Sequence, residues 1–134
     1  MTVLNGSVIP ASHRDLLEAP LIAHLATTRP NGEPQSTPVW FDWDGTHLMI
    51  ATGPESQKFR NTQRDPRPAL SIIDPANPAR YLEVRGRVTG VDPDPGGSQL
   101  RAIIRRYMGV DELPGLEEAR VILVIEPLRT SSMG

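Results

Sequence analysis

Hydrophobic and polar residues alternate over much of this chain, which predicts short β-strands. The clearest alternation spans residues 80–91, where Leu82, Val84, Gly86 and Val88 share one face. A period of two places these residues on one side of a strand, and Gly86 within the pattern predicts a bend. Five shorter segments also have the composition of strands, namely residues 21–28, 34–43, 46–52, 69–74 and 121–125. The pattern therefore predicts six strands.

The connections between the predicted strands favour an antiparallel barrel. Asn31-Gly32 and Asp44-Gly45 are hairpin-turn signals that separate the first three strands. Such short connections give antiparallel pairing, and closing or nearly closing the sheet protects its edges. Helices are predicted over residues 55–65 and 98–108, the second being amphipathic and suited to core or dimer packing. The predicted fold class is mainly β with a few helices, a six-stranded antiparallel barrel.

The length of the chain suits one domain. A chain of 134 residues can build a single hydrophobic core. We expect that domain to span residues 1–134, with flexible ends at residues 1–11 and 128–134. The 14 prolines and 11 glycines fit the many turns that short strands require.

Composition excludes several classes of function. The chain has no cysteine, so disulfides, thiolate catalysis and thiolate-bound metals are excluded, and His13, His24 and His47 are too scattered to predict a metal site. A net charge of −2 argues against nucleic-acid binding. Without a long apolar run or a signal-peptide pattern, we expect a cytoplasmic protein that does not bind membranes. No catalytic triad, Walker loop or GxGxxG motif is present, so we assign no catalytic residue.

The first candidate site is a basic helical segment. The chain has 13 arginines but a single lysine, Lys58, which lies close to Arg60, Arg64 and Arg67. Phe59 is the segment's one large apolar residue, so burial alone would hold such a helix poorly. Free amides at a helix start, followed by cations, are typical of a phosphate site. The alternative is a solvated surface helix, and the spacing alone does not decide between the two.

The second candidate site is the strand segment from Gln35 to Trp40. Pro38 cannot donate a hydrogen bond to a sheet, which predicts an unpaired backbone edge. Polar residues before it and the flat side chain of Trp40 after it suit a strand that borders a planar heterocycle. An edge strand with a surface tryptophan is the alternative interpretation.

These segments together resemble a known family. The resemblance covers residues 15–127 and rests on four motifs: Leu25-Ala26-Thr27-Thr28, Ala51-Thr52, Lys58-x-x-Asn61-x-x-x-Asp65-Pro66-Arg67 and Leu82-Glu83-Val84-Arg85-Gly86-Arg87-Val88. In this order and at these distances they resemble the split β-barrel of the pyridoxamine 5'-phosphate oxidase superfamily. The lysine followed by Arg-Asp-Pro-Arg is most similar to the branch that uses the deazaflavin coenzyme F420.

The resemblance implies a cofactor site shared by two protomers of a homodimer. Lys58, Gln57 and Arg60 would hold the cofactor phosphate, and Arg64 would meet the acidic tail of F420, as would Arg67. Tyr81 would come from the other subunit. The full implied set of cofactor-binding residues is Gln35, Ser36, Thr37, Pro38, Val39, Ala51, Thr52, Ser56, Gln57, Lys58, Arg60, Asn61, Arg64 and Tyr81.

The function implied by the resemblance is an F420-dependent oxidoreductase. It would transfer a hydride between reduced deazaflavin and an electron-poor organic substrate. An FMN-dependent oxidoreductase on the same barrel and a non-catalytic flavin or deazaflavin carrier or sensor are the alternatives. The chain ends at Gly134, soon after its last predicted strand, from which we expect no vitamin B6 chemistry.

Overall fold

The computed structural model describes residues 8–115 and 121–134, which form one sheet and three short helices. Residues 1–7 of the expected flexible N-terminus lie outside the described residues. The strands are β1 (Ala23–Thr28), β2 (Pro34–Val39), β3 (Asp42–Trp43), β4 (Leu48–Thr52), β5 (Ala69–Asp74), β6 (Asn77–Pro93) and β7 (Val121–Met133). The helices are α1 (Asp15–Glu18), α2 (Gln57–Arg64) and α3 (Ser98–Met108).

The predicted fold class is confirmed, with seven described strands in place of six. All pairings are antiparallel, and the strand order is β2-β1-β5-β6-β7-β4-β3. The two edge strands, β2 and β3, are consecutive in the chain and are separated by only Trp40 and Phe41. So short a link keeps neighbouring ends of the two edge strands close to each other, although they do not pair in the described sheet, and the sheet therefore curls into an open barrel.

The additional strand arises because the predicted segment 34–43 is divided in two. Phe41 is fully buried, and its amide donates to the hydroxyl oxygen of Tyr107 over 3.1 Å. The chain therefore leaves the β1 pairing after Val39 and pairs again with β4 at Asp42 and Trp43. The Tyr107 hydroxyl, on the helix of residues 98–108, thus accepts the hydrogen bond that the Phe41 amide would otherwise have donated to a neighbouring strand.

The last strand is much longer than the predicted segment 121–125. β7 extends to Met133, which lies opposite Tyr81 of β6. Residues 128–133 are therefore a paired strand, which corrects the expected flexible C-terminus. At the other end, Ile9 is only 5% exposed and belongs to the core, and residues 11–13 form a 3-10 helix, so residues 8–11 are likewise ordered.

Gly86 is the bend that the sequence predicts within the long strand. The register of β6 against β7 shifts between Arg85 and Gly86. A Cβ atom on Gly86 would lie 2.7 Å from the carbonyl oxygen of Glu126. Glycine is therefore required here by close approach of the neighbouring backbone. The bend lets β6 pair with both β5 and β7 as the sheet curls.

The core fills the inside of the curled sheet. Its fully buried side chains are mostly leucine and isoleucine from the strands, together with Leu16 and Leu17 of α1. Helix α2 contributes Phe59, which packs against this cluster while partly exposed. Helix α3 has the predicted bounds and buries Leu100, Ile103 and Ile104.

Candidate cofactor site

The start of α2 is anchored to the end of β4. Ser56 is the N-cap residue, and its hydroxyl accepts a hydrogen bond from the Phe59 amide over 3.2 Å. The same hydroxyl lies 2.8 Å from Oγ1 of Thr52, the last residue of β4. The amides of Gln57 and Lys58 precede the first intrahelical hydrogen bonds, so they remain available to a ligand at this end of the helix.

Asn61 holds the middle of α2 against the sheet. Its side chain is only 1% exposed, and its amide nitrogen donates to Oγ1 of Thr27 and Oε1 of Gln35, each over 3.0 Å. Its amide oxygen accepts from Nε2 of Gln57 over 2.7 Å. A helix with little apolar surface is thus docked by a buried polar network, which explains how this short segment is held. Within this network Asn61 orients α2 and Gln57.

The arginines of the basic segment all have partners within the chain. Arg60 donates to the carbonyl oxygen of Glu55 and to Oε1 of Gln57, and Arg64 donates to the carbonyl oxygen of Thr28. Arg67 forms an exposed ion pair with Asp65, over 2.8 Å between Nε and Oδ1.

Lys58 differs from these arginines. Its ammonium has no hydrogen-bond or ion-pair partner among residues 8–115 and 121–134, although the side chain is half-buried. Burial lowers the pKa of Lys58 below its ordinary value of 10.5, because the charged form loses hydration that no described group replaces. An anionic ligand would stabilise such a partly buried cation by supplying the missing counter-charge.

Lys58 faces a cavity of about 420 Å³, within the ~300–1,000 Å³ typical of small-molecule sites. Three more of the predicted residues line the same cavity: Pro38, Val39 and Ala51. The structure therefore brings together the strand segment and the basic helix that the sequence singled out separately. Pro38 lies on β2, an edge strand of the described sheet, as its missing amide proton predicts.

The other predicted residues lie around this cavity or away from it. Thr52 and Ser56 form the helix start, and Gln35 is bonded to Asn61. Ser36 and Thr37 lie on β2, one exposed and one half-buried. Tyr81 lies on β6, between Ile73 of β5 and Met133 of β7.

Sequence reasoning missed most of the apolar wall. The cavity is also lined by Ile22, Trp40, Leu100, Ile103 and Leu113. Trp40 was considered as a neighbour of a heterocycle, and the amphipathic pattern of α3 could have pointed to Leu100 and Ile103. Ile22 lies at the start of the predicted strand 21–28 and Leu113 lies beyond the predicted helix 98–108, and a single apolar residue at such a position is common on protein surfaces.

Trp40 is held in place by α3. Its ring stacks on that of Tyr107, with centroids 4.9 Å apart and planes 6° apart. The Tyr107 hydroxyl donates to the carbonyl oxygen of Leu21 over 2.6 Å and accepts from the Phe41 amide. Burial raises the pKa of Tyr107, so the hydroxyl keeps its proton at neutral pH.

No group of three or more histidine and acidic side chains capable of binding a metal occurs among the described residues. No helix in the described part of the chain is both long enough and apolar enough to span a membrane.

Comparison with known proteins agrees with the fold. The sequence profile of the pyridoxamine 5'-phosphate oxidase family matches residues 9–134. The structure is similar to that of an F420 reductase, with a TM-score of 0.86 and 45% sequence identity, over 92% of this chain and 98% of that one. No curated protein sequence matches the chain.

More distant structures share the fold alone. The conserved hypothetical protein Rv2991 from Mycobacterium tuberculosis has a TM-score of 0.75 at 23% identity, over 99% of this chain and 89% of that one. General Stress Protein 26 from Bacillus anthracis has a TM-score of 0.67 at 19% identity, over 90% of this chain and 89% of that one.

Proposed function

The chain belongs to the pyridoxamine 5'-phosphate oxidase family, and we propose on that basis that it is an F420-dependent reductase. The family and the similarity to an F420 reductase support an oxidoreductase of the flavin or deazaflavin type. The 45% identity over nearly the whole of both chains favours F420 over FMN.

The observation that carries the proposal is the ammonium of Lys58, which lies on the cavity wall without a partner in the part of the chain that the structure describes. A phosphate group fits this position, because it would pair with the ammonium and accept from the free amides of Gln57 and Lys58. Arg60 stands on the next turn and, through Gln57, shapes the same helix start. Arg64 and Arg67 are exposed cations at the far end of α2, where they would attract the acidic tail of F420.

The remaining cavity residues would position the ring system and exclude water. Pro38 and Val39 of β2 would border the ring system on one side, and the small side chain of Ala51 on β4 would leave space for the ring on another side. When bound, a reduced deazaflavin supplies a hydride for an electron-poor organic acceptor. No carboxylate or histidine is among the described residues that line the cavity, so in this proposal the proton comes from water.

We propose that two copies of the chain assemble into a homodimer in which Tyr81 reaches the partner's site. Directly paired residues on neighbouring strands share a face, so Tyr81 lies in one row with Ile73 and Met133. Ile73 is 45% exposed and Met133 is 55% exposed, which makes this row an apolar patch suited to a partner.

The test is a parallel titration of the purified protein with F420 and with FMN, followed by single-turnover oxidation of reduced F420. Tighter binding of F420, with oxidation by uncharged enones or quinones, supports the proposal. Tighter binding of FMN would favour an FMN enzyme on the same barrel, and binding without turnover would favour a carrier or sensor. Binding of neither cofactor would overturn the proposal.

A further inference from the structure

His24 lies on the outer face of the sheet, next to two residues that line the cavity. It pairs directly with Pro38 of β2, and directly paired residues on neighbouring strands share a face. Ile22, two positions earlier, is exposed like His24, whereas Ala23 between them is fully buried, so the side chains alternate here as in a strand. Pro38 and Ile22 both line the cavity. The imidazole therefore lies at the rim of the cavity, where it also meets solvent.

The pairing of His24 with Pro38 is of the kind that brings side chains closest. In the turn after β1, the amide of Arg29 donates to the carbonyl oxygen of Glu33 over 2.8 Å. Hydrogen-bonded and non-hydrogen-bonded pairs alternate along an antiparallel ladder, so counting back from this turn makes His24 and Pro38 a non-hydrogen-bonded pair. The Cα atoms of such a pair are about 4.5 Å apart, compared with about 5.5 Å in the other kind. A proline fits this position without the loss of a ladder bond.

The ring of His24 is free, whereas the other two histidines are occupied. Nε2 of His13 lies 2.9 Å from the carbonyl oxygen of Met133, and Nδ1 of His47 lies 3.0 Å from Oγ1 of Thr46. Within the part of the chain that the structure describes, the ring of His24 has no hydrogen bond or ion pair. Both of its nitrogens are therefore available to a ligand or to water.

Two other groups near the cavity carry a proton but are less suited to deliver it. In the proposed function the ammonium of Lys58 pairs with the cofactor phosphate, so its protons are engaged. Tyr107 donates its hydroxyl proton to the carbonyl oxygen of Leu21 over 2.6 Å, and burial raises the pKa of Tyr107. An imidazole, by contrast, is the side chain that gains and loses a proton near neutral pH, which suits repeated proton transfer.

No fixed charge among the described residues is a direct cross-strand neighbour of the imidazole. On the side away from β2, Ser71 of β5 lies opposite His24, and Glu83 of β6 lies opposite Ser71. Glu83 is itself paired with Arg85, over 3.6 Å. Lys58 is the charged residue that lines the cavity. The direct neighbours of His24 across the sheet are thus a proline and a serine hydroxyl.

We infer that His24 delivers the proton that completes reduction of the acceptor. The inference rests on the proposed function, in which the acceptor receives a hydride from reduced deazaflavin, which is thereby oxidised. A hydride that adds to the β-carbon of an enone turns the acceptor into an enolate. The protonated imidazole of His24 gives its N–H proton to the α-carbon, directly or through one water, so that the N–H bond breaks as the C–H bond forms. The neutral imidazole then regains a proton from solvent water.

The kinetic experiment follows reduction of 2-cyclohexen-1-one by the protein saturated with reduced F420. For His24→Gln, which cannot deliver a proton, we expect kcat to fall by about 100-fold or more, with KM for the enone and Kd for F420 within about threefold of wild type. Added imidazole should restore part of kcat in His24→Ala. His47→Gln, between β3 and β4, is the matched control and should keep wild-type kcat. A kcat of His24→Gln within about threefold of wild type would overturn the inference.

The pH profile of kcat separates proton delivery from a merely structural role. It is measured in a Lys58→Arg background, where the guanidinium stays charged, so that titration of Lys58 does not contribute. We expect kcat to fall at alkaline pH in this background, because only the protonated imidazole delivers a proton. Addition of His24→Gln should abolish this fall. The same pH profile with and without His24→Gln would overturn the inference.

A second readout does not depend on turnover. The chain has three histidines, so proton–nitrogen correlation spectra can resolve each imidazole ring. We expect saturation with F420 to shift the ring signals of His24 and to leave those of His47 unchanged. Binding of F420 without any change at His24 would leave the proposed function standing and overturn the inference. Absence of F420 binding would overturn the proposed function and the inference with it.

Discussion

The side-chain amide of Asn61 donates to the hydroxyl of Thr27 over 3.0 Å, in a region where both residues are almost fully buried. Thirty-four positions separate the two residues in the chain. This bond, with the one from Asn61 to Gln35, attaches α2 to β1 and β2, and it thereby sets where the start of α2 lies relative to the cavity.

Removal of Asn61 is expected to destabilise the protein. Asn61→Ala leaves Oγ1 of Thr27 and Oε1 of Gln35 without their buried donor, which we expect to cost about 1–3 kcal/mol of unfolding free energy. Urea unfolding measures the change. Gln63→Ala, at an exposed position on the same helix, is the matched control. Equal stabilities of the two variants would show that the network does not hold α2.

Removal of Lys58 is expected to weaken cofactor binding. Lys58→Ala loses one charge-assisted phosphate contact, which corresponds to about 1.5–3 kcal/mol, or roughly 10- to 150-fold in dissociation constant. Fluorescence titration with F420 measures the affinity. Arg14→Ala removes an exposed cation from α1's start and should leave the affinity unchanged. An unchanged affinity in Lys58→Ala, with the fold intact, would contradict the phosphate site.

The lowered pKa of Lys58 predicts two opposite pH dependences. Between that lowered pKa and 10.5 the unfolded chain binds more protons than the folded chain, so the ligand-free protein gains stability as pH rises through this window. Lys58→Met removes the buried charge and is expected to be more stable than wild type at neutral pH, with the difference shrinking at alkaline pH. Urea unfolding at a series of pH values checks this, and a difference that does not depend on pH would contradict it.

Cofactor affinity is expected to change with pH in the opposite direction. A phosphate pairs with the protonated ammonium only, so affinity should fall by up to about tenfold per pH unit above the pKa of Lys58. Lys58→Arg, whose guanidinium stays charged, should bind without this alkaline loss. The same alkaline profile in both proteins would assign the loss to another group.

Substitution of Gly86 tests the close approach of β6 and β7. In Gly86→Ala the new Cβ would meet the carbonyl oxygen of Glu126 at 2.7 Å, and because this atom is backbone we expect a loss of about 1–3 kcal/mol. Gly96→Ala is the control, since a Cβ there meets nothing within 4 Å. Thermal unfolding compares the two variants. A Gly86→Ala protein as stable as the control would show that β6 and β7 can move apart without a loss of unfolding free energy.

The apolar row on β5, β6 and β7 is expected to mediate dimerisation. Ile73→Glu introduces a charge beside Tyr81 and should convert the proposed homodimer into monomers, with weaker F420 binding. Val110→Glu changes an equally exposed apolar residue that lies outside this row. Sedimentation velocity gives the oligomeric state. An unchanged oligomeric state in Ile73→Glu, relative to the wild type and the control, would show that the dimer interface lies elsewhere.

Local signals in the sequence predicted several elements closely. Residues 98–108 and 69–74 were predicted with the bounds that the structure has, because each combines a strong period with clear ending signals. The strand after residue 125 was not predicted. Pro127 and the polar residues beyond it are typical of a chain end, yet Pro127 lies opposite Gly86, where the register shift leaves room for a residue without an amide proton.

The candidate site was predicted in pieces. Lys58, Pro38 and Val39 were selected from the sequence pattern and Ala51 from the family resemblance, and the structure brings them to one cavity. The roles of Asn61 and the arginines were not predictable, because their partners, such as Thr27 and Thr28, are distant in the chain. A cation's position in the sequence does not show whether the protein itself neutralises it.

The sequence by itself determined the strand-rich class, the antiparallel hairpins and the bend at Gly86, because each depends on neighbours a few residues apart. Only the tertiary structure decided that Lys58 has no partner among the described residues, which apolar residues line the cavity and how Trp40 is oriented. Those properties depend on contacts such as Trp40 with Tyr107 and Asn61 with Thr27. Burial and hydrogen bonding between distant segments exist only once the sheet has curled.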